Sequence, residues 1–143
     1  MNKIIHDPSY PKISVIVPCY NEQERILPVL DSIKKSSYVK EIIVVDDSSE
    51  EKTIQLLQSI KNITLITLTE NRGKALALKI GVLNAHTDTV MFVDSDLKNL
   101  APENIDHMVE AFFDGAYDMV IGEREKEWNF ARYTGMATTL AGE

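Results

Sequence analysis

"EIIVVDDSSEEKTIQLLQSIKNITLITL", residues 41–68, holds a strand, a helix and a second strand in one run. "EIIVVD" (41–46) and "ITLITL" (63–68) are short, rich in β-branched residues and nearly without polar interruption, which marks strands covered on both faces. Between them "KTIQLLQSI" (52–60) sets Ile54, Leu57 and Ile60 at three-to-four spacing, an apolar stripe for one side of a helix. A strand needing cover on both faces, followed by a helix with one side to bury, is the repeating unit of a parallel sheet.

The same alternation extends outward. Upstream lie "ISVIVP" (13–18) and "RILPVLDSIKKS" (25–36), the latter with Ile26, Leu27, Leu30 and Ile33 in helical register. Downstream come "KALALKIGVLNA" (74–85), "TVMFVD" (89–94), "ENIDHMVEAFF" (103–113) and "YDMVIG" (117–122). The order predicts a doubly wound α/β fold: a mostly parallel sheet, right-handed crossovers and helices on both faces. Residues 1–11 read as an N-terminal tail and 12–143 as one domain, while the stretch from Glu123 to Glu143 is less periodic and shows no closing element.

Composition fits that size. A chain of 143 residues that is 44% hydrophobic can bury one core and is short for two. Acidic residues outnumber basic ones, 22 to 15, for a net charge of −7 without a run of like charge, so no nucleic-acid partner is expected. A single cysteine, Cys19, excludes an internal disulfide and a cysteine-rich zinc site, and fits a reducing compartment. No stretch resembles a signal peptide or approaches the roughly 20 apolar residues of a membrane span. The expected setting is cytoplasmic, with peripheral membrane attachment if the substrate is a lipid.

Open parallel sheets bind ligands beyond the carboxyl ends of their strands. Those ends read "PCYNE", "DDSSE", "TENRGKA", "DSDLKN" and "GERE", acids for a cation mixed with nitrogens for phosphate. Asp94 and Asp96, alternate residues at a strand end, suit Mg²⁺ or Mn²⁺, which take one or two carboxylates plus phosphate oxygens. The competing structural role is a cap on the helix that follows. Asp46 and Asp47 pose the same choice, and one is expected to cap the next helix while the other accepts a hydrogen bond from a base or ribose. Gly73 permits close backbone approach, and Lys74 can meet a diphosphate or simply stay solvated. Tyr20, Asn21 and Glu22 read equally as an ordinary loop and helix start. His6, His86 and His107 have no second ligand nearby in sequence and read as surface residues.

Taken as an ordered set, "ISVIVPCYNE", "EIIVVDDSS", "NRGKALALKIGVLNA" and "VMFVDSDL" resemble glycosyltransferase family 2, the inverting sugar-nucleotide enzymes of GT-A fold, over about residues 12–122. Within it, "GKA" and "VIGER" look closest to the polyprenyl-phosphate and dolichol-phosphate hexosyltransferases. The resemblance implies transfer of a hexose from a UDP- or GDP-sugar to an acceptor such as a polyprenyl phosphate, with a Mn or Mg cation. It implies that Pro18, Tyr20 and Glu22 line the nucleoside pocket, that Asp47 holds the base, that Lys74 sits by base or phosphate, that Ser95 contacts the nucleotide, and that Asp94 with Asp96 forms the metal-diphosphate site. Arg124 and Arg132 would bind an acceptor phosphate, or be solvated. The catalytic base is expected beyond Glu143, with the acceptor half of the domain incomplete and transfer by this chain slow. An unpaired sheet edge would then favour a homodimer.

Three other classes are in play. A two-component receiver would explain the acidic pair in "IIVVDD", but a receiver places that pair after its first strand. A nucleotidyltransferase would open with a glycine-rich loop, and "PCYNEQER" has no glycine. A sugar-nucleotide-binding module without activity is the third. Donor nucleotide, sugar and acceptor are not written in the sequence.

Overall fold

The computed structural model describes residues 7–123 and 134–139 of the 143. Six strands form one sheet: β1 (Ile13–Cys19), β2 (Val39–Asp46), β3 (Thr64–Thr67), β4 (Thr89–Phe92), β5 (Met119–Glu123) and β6 (Thr134–Thr139), in the order β3-β2-β1-β4-β6-β5. The first four are parallel, as the alternating pattern requires, and β6 runs antiparallel to both β4 and β5. The helices are α1 (Ile26–Lys35), α2 (Glu51–Ser59), α3 (Lys74–Leu83) and α4 (Pro102–Asp114).

Side-chain alternation along β1 divides the core. Ile13, Val15, Val17 and Cys19 pack with Ile26, Leu30 and Ile33 of α1, Leu57 of α2, and Ile105, Val109 and Phe112 of α4. Ile16, on the other face, joins Ile43, Val45, Val90 and Ala77 of α3. Helices therefore cover both faces, with α3 alone on the second among the described residues. Gly81 lets α3 come close: a Cβ there would lie 2.3 Å from Ile16 Cγ2.

One departure from the sequence reading concerns the far side of the sheet. β5 forms near the expected residues, and a sixth strand, β6, lies between it and β4. β6 falls in the stretch that showed no closing element. Its sequence, "TGMATT", lacks the run of branched apolar residues that marks a buried strand, so pairing with β4 and β5 decides its conformation. In the region read as a tail, Asp7 N–H donates to the Tyr38 hydroxyl and the Tyr10 ring stacks on Phe113 with centroids 5.5 Å apart.

Candidate active site

The sheet order turns around β1, which has β2 on one side and β4 on the other. At such a switch point the two following loops diverge and leave a crevice. Pro18 opens it. Ile16 O accepts from Val93 N–H, so this alternate series of β1 residues faces β4; Pro18, the next in the series, has no N–H to continue the ladder. The chain leaves β1 after Val93 and turns, with Leu97 N–H donating to Asp94 O.

The result is a cavity of about 300 Å³ lined by Pro18, Cys19, Tyr20, Glu22, Asp47, Lys74, Ala77, Asp94, Ser95 and Asp96. Each residue expected to hold nucleotide or metal thus borders one hollow. Arg124 and Arg132, the expected acceptor residues, lie outside the described residues. A wider hollow of about 900 Å³, lined in part by Lys40, His86, Phe113 and Tyr117, sits at the opposite end of the strands. It is separated from the acidic cavity by the length of β1, roughly 20 Å at 3.3 Å per residue.

Asp47 is almost fully buried, and both its carboxylate oxygens are engaged. Oδ1 accepts from Arg72 N–H and Oδ2 from Gly73 N–H, each at 2.8 Å. It therefore pins the loop before α3, and it does not cap α2. Neither does Asp46, whose Oδ2 accepts from Ser49 N–H at 3.1 Å within its own turn, while its buried Oδ1 has no protein partner. The expectation that one of the pair caps is corrected: the residue that accepts from Glu50 N–H at the start of α2 is Asn21, through Oδ1 at 2.8 Å. Asn21 N–H in turn donates to Ser49 Oγ. The loops after β1 and β2 are latched to each other by a residue the sequence reading left as ordinary loop. A polar residue directly after a strand end was the available signal.

Asp94 and Asp96 do not cap a helix either. α4 begins at Pro102, where Ala101 N–H donates to Asn104 Oδ1. Asp94 instead forms an ion pair with Lys74, the first residue of α3, across the cavity. Ser95 between the two acids is buried, whereas Asp96 is exposed. Glu22 sits 3.6 Å from Arg25. Cys19, on the cavity floor, is held protonated: burial, with a backbone hydrogen bond from Glu22 opposing, pushes its thiol up to about 11. Several non-glycine residues around this end adopt positive φ, namely Asn21 (53°), Gln23 (41°) and Ser48 (63°), a kind of strain that clusters at functional sites.

As a donor set, Asp94 and Asp96 offer hard oxygens of the type Mg²⁺ or Mn²⁺ prefers, already facing one positive charge. Among the described residues no group of three or more His, Cys, Asp or Glu side chains converges as a metal cage, so a cation here would draw further ligands from a phosphate-bearing molecule. No helix among the described residues is long and apolar enough to cross a membrane.

Comparison with known proteins gives the family and the fold. Residues 14–133 match the model of glycosyl transferase family 2. The chain is 33% identical over 140 residues to an undecaprenyl-phosphate 4-deoxy-4-formamido-L-arabinose transferase of Pseudomonas fluorescens, covering 90% of this chain and 40% of that protein. It is 40% identical over 88 residues to a poly-beta-1,6-N-acetyl-D-glucosamine synthase of Staphylococcus aureus, covering 59% of this chain and 21% of the relative. Among solved structures it resembles the mannosyltransferase PcManGT of Pyrobaculum calidifontis in complex with GDP-Man and Mn²⁺, with a TM-score of 0.68, 30% identity, and coverage of 84% of this chain and 38% of that one. A glucosyl-3-phosphoglycerate synthase of Mycobacterium tuberculosis in complex with Mn²⁺, UDP-glucose and phosphoglyceric acid gives a TM-score of 0.65 at 28% identity, covering 76% of this chain and 42% of that one.

The fold is that of the GT-A transferases. The chain belongs to glycosyltransferase family 2 and spans 40% or less of the length of the two curated relatives described.

Proposed function

We propose that the cavity binds the nucleoside diphosphate of a sugar nucleotide and that the protein is an inverting, metal-dependent glycosyltransferase. The observation that carries this reading is the meeting of Asp47, Lys74, Asp94 and Asp96 at one switch-point cavity. Pro18, Tyr20 and Glu22 form the nucleoside side. The half-exposed Tyr20 ring offers a surface against which a base can pack. Asp47 keeps lone pairs beyond the two spent on the loop and can accept from a base N–H. Ser95 and the N-terminus of α3 offer donors to phosphate.

Asp94 and Asp96 would hold the divalent cation, Mn²⁺ or Mg²⁺, which when bound supplies Lewis-acid stabilisation of the departing diphosphate. An acceptor attacking the anomeric carbon on the face opposite the departing diphosphate would invert the centre. The relative from Pseudomonas fluorescens is named for an undecaprenyl-phosphate acceptor, and the same acceptor class is proposed here. A phosphate oxygen is already ionised and needs no strong base, and Arg124 and Arg132 are proposed to bind it. Attachment at a membrane surface follows from that acceptor.

Calorimetric titration of the protein with UDP and with GDP, each with Mn²⁺ or with EDTA, tests the reading. One nucleotide should bind at least tenfold more tightly with Mn²⁺, and Asp96→Ala should remove that gain. Metal-independent affinity in both proteins would remove the cation assignment.

The reading extends to a homodimer through β5. Met119 and Ile121 lie on the same side of β5, 47% and 58% exposed, an apolar strip on a strand at the sheet's edge. Sedimentation should show concentration-dependent dimer that Ile121→Lys abolishes; identical profiles would exclude this edge.

A further inference from the structure

Lys74 stands where helix electrostatics disfavour it. It is the first residue of α3, at the positive end of the helix dipole, where an acidic side chain would be favoured. The chain before it is tightly specified. Gly73 has φ 92° and ψ 161°, a region essentially reserved for glycine, and the amides of Arg72 and Gly73 are both held by Asp47. That anchoring fixes the start of α3 and aims the ammonium across the cavity at Asp94. The cavity thus already contains a cation opposite the carboxylate assigned to the metal.

Resting on the donor-binding reading above, we infer that Lys74 is the resident counter-ion of Asp94, exchanged for the divalent cation only when a diphosphate arrives, so that metal binding is conditional on nucleotide; Asp47 is the positioning residue that sets this exchange. The pair is built to be given up. Its side chains are 60% and 30% exposed, and ion pairs in that setting contribute little and are readily replaced. A diphosphate brings more negative charge than Asp94 and lies against the N-terminus of α3, so it draws the ammonium to itself. Asp94 is then free to join Asp96 and the phosphate oxygens around the cation. Without nucleotide, the metal must displace Lys74 and is left with two carboxylates.

The two obstacles to metal binding separate in a variant. Lys74→Met removes the competitor and leaves the ligand set short. Mn²⁺ titrated alone, followed by the electron-spin resonance of the free ion, should bind Lys74→Met about three- to fivefold more tightly than wild type, which corresponds to ~0.7–1 kcal/mol at 1.4 kcal/mol per tenfold. In the presence of UDP or GDP the order should reverse, because the phosphate has lost its lysine. The factor by which nucleotide and Mn²⁺ strengthen each other should fall at least tenfold. Lys74→Arg should behave as wild type toward Mn²⁺ alone. Equal or weaker binding of Mn²⁺ alone to Lys74→Met, or Lys74→Arg resembling Lys74→Met, would overturn the inference. If neither UDP nor GDP binds wild type under any condition, the donor reading fails instead, while the comparison with Mn²⁺ alone still decides the role of Lys74. Lys74 is largely exposed, so unchanged circular dichroism and melting are expected for each variant.

Discussion

Asp47 shows how one buried carboxylate can hold a distant loop in place. Its two oxygens take the amides of Arg72 and Gly73, which lie 25 and 26 residues away in the chain. An asparagine has one acceptor oxygen, and its amide nitrogen would confront the second N–H. Asp47→Asn should therefore lower stability by about 1.5 kcal/mol, roughly 3–6 °C in Tm, and weaken nucleotide binding by loosening the loop that carries Lys74. Thermal melting beside calorimetry checks both; an unchanged Tm would mean the loop does not depend on this carboxylate. Acids at the strand ends of a parallel sheet pointed to Asp46 and Asp47 alike, and the family resemblance singled out Asp47. The sequence could not show the residue's partners, since those contacts are made by folding and not by local pattern. Asn21 was missed for the same reason: its function is to join two loops 29 residues apart.

Among the elements, α3 is the one whose placement matters most to the cavity, and two glycines set it. Gly81 brings the helix against Ile16, and Gly73 supplies the turn that starts it. A Cβ at Gly73 meets nothing within 4 Å, so Gly73→Ala is penalised by backbone strain alone, about 1–3 kcal/mol. Gly81→Ala meets the fully buried Ile16 and should lose a similar amount by overpacking. The two should differ in function: relief of strain at Gly73→Ala rotates Lys74 away from Asp94 and weakens nucleotide binding severalfold, whereas Gly81→Ala changes affinity little for the same loss of Tm. Equal effects on affinity would show that α3 moves as a whole. The helices and the four parallel strands were legible because each carries its own period. β6 was not, because its place between β4 and β5 comes from pairing across the sheet and not from residues within "TGMATT".

The two ends of the sheet differ in character. The acidic cavity lies at the carboxyl ends, while the amino ends carry a polar brace: Ser14 on β1 and Glu41 on β2 are register partners, and Glu41 Oε1 accepts from Ser14 Oγ–H and from His86 N–H, each at 2.6 Å. Oε2 lies 3.0 Å from His86 Nδ1, and Thr87 Oγ1 accepts from Ser14 N–H. Burial alone would raise the Glu41 carboxyl, but the Ser14 hydroxyl and the His86 amide and ring together bring it below its ordinary 4.5. A carboxylate lowered in the folded state adds stability that is fully present above its unfolded value and is lost as pH falls through its folded value. The brace should thus hold from neutrality to about pH 5 and fade below pH 4.5. The informative quantity is the difference between wild type and Glu41→Gln. At pH 7 the variant should be less stable by roughly 1–2 kcal/mol, since it forfeits charged hydrogen bonds. Below pH 4.5 the two melting curves should converge, and nucleotide affinity at neutral pH should be unchanged because the brace lies a strand's length from the cavity. Parallel Tm-against-pH curves would show that the Glu41 charge does not brace the fold.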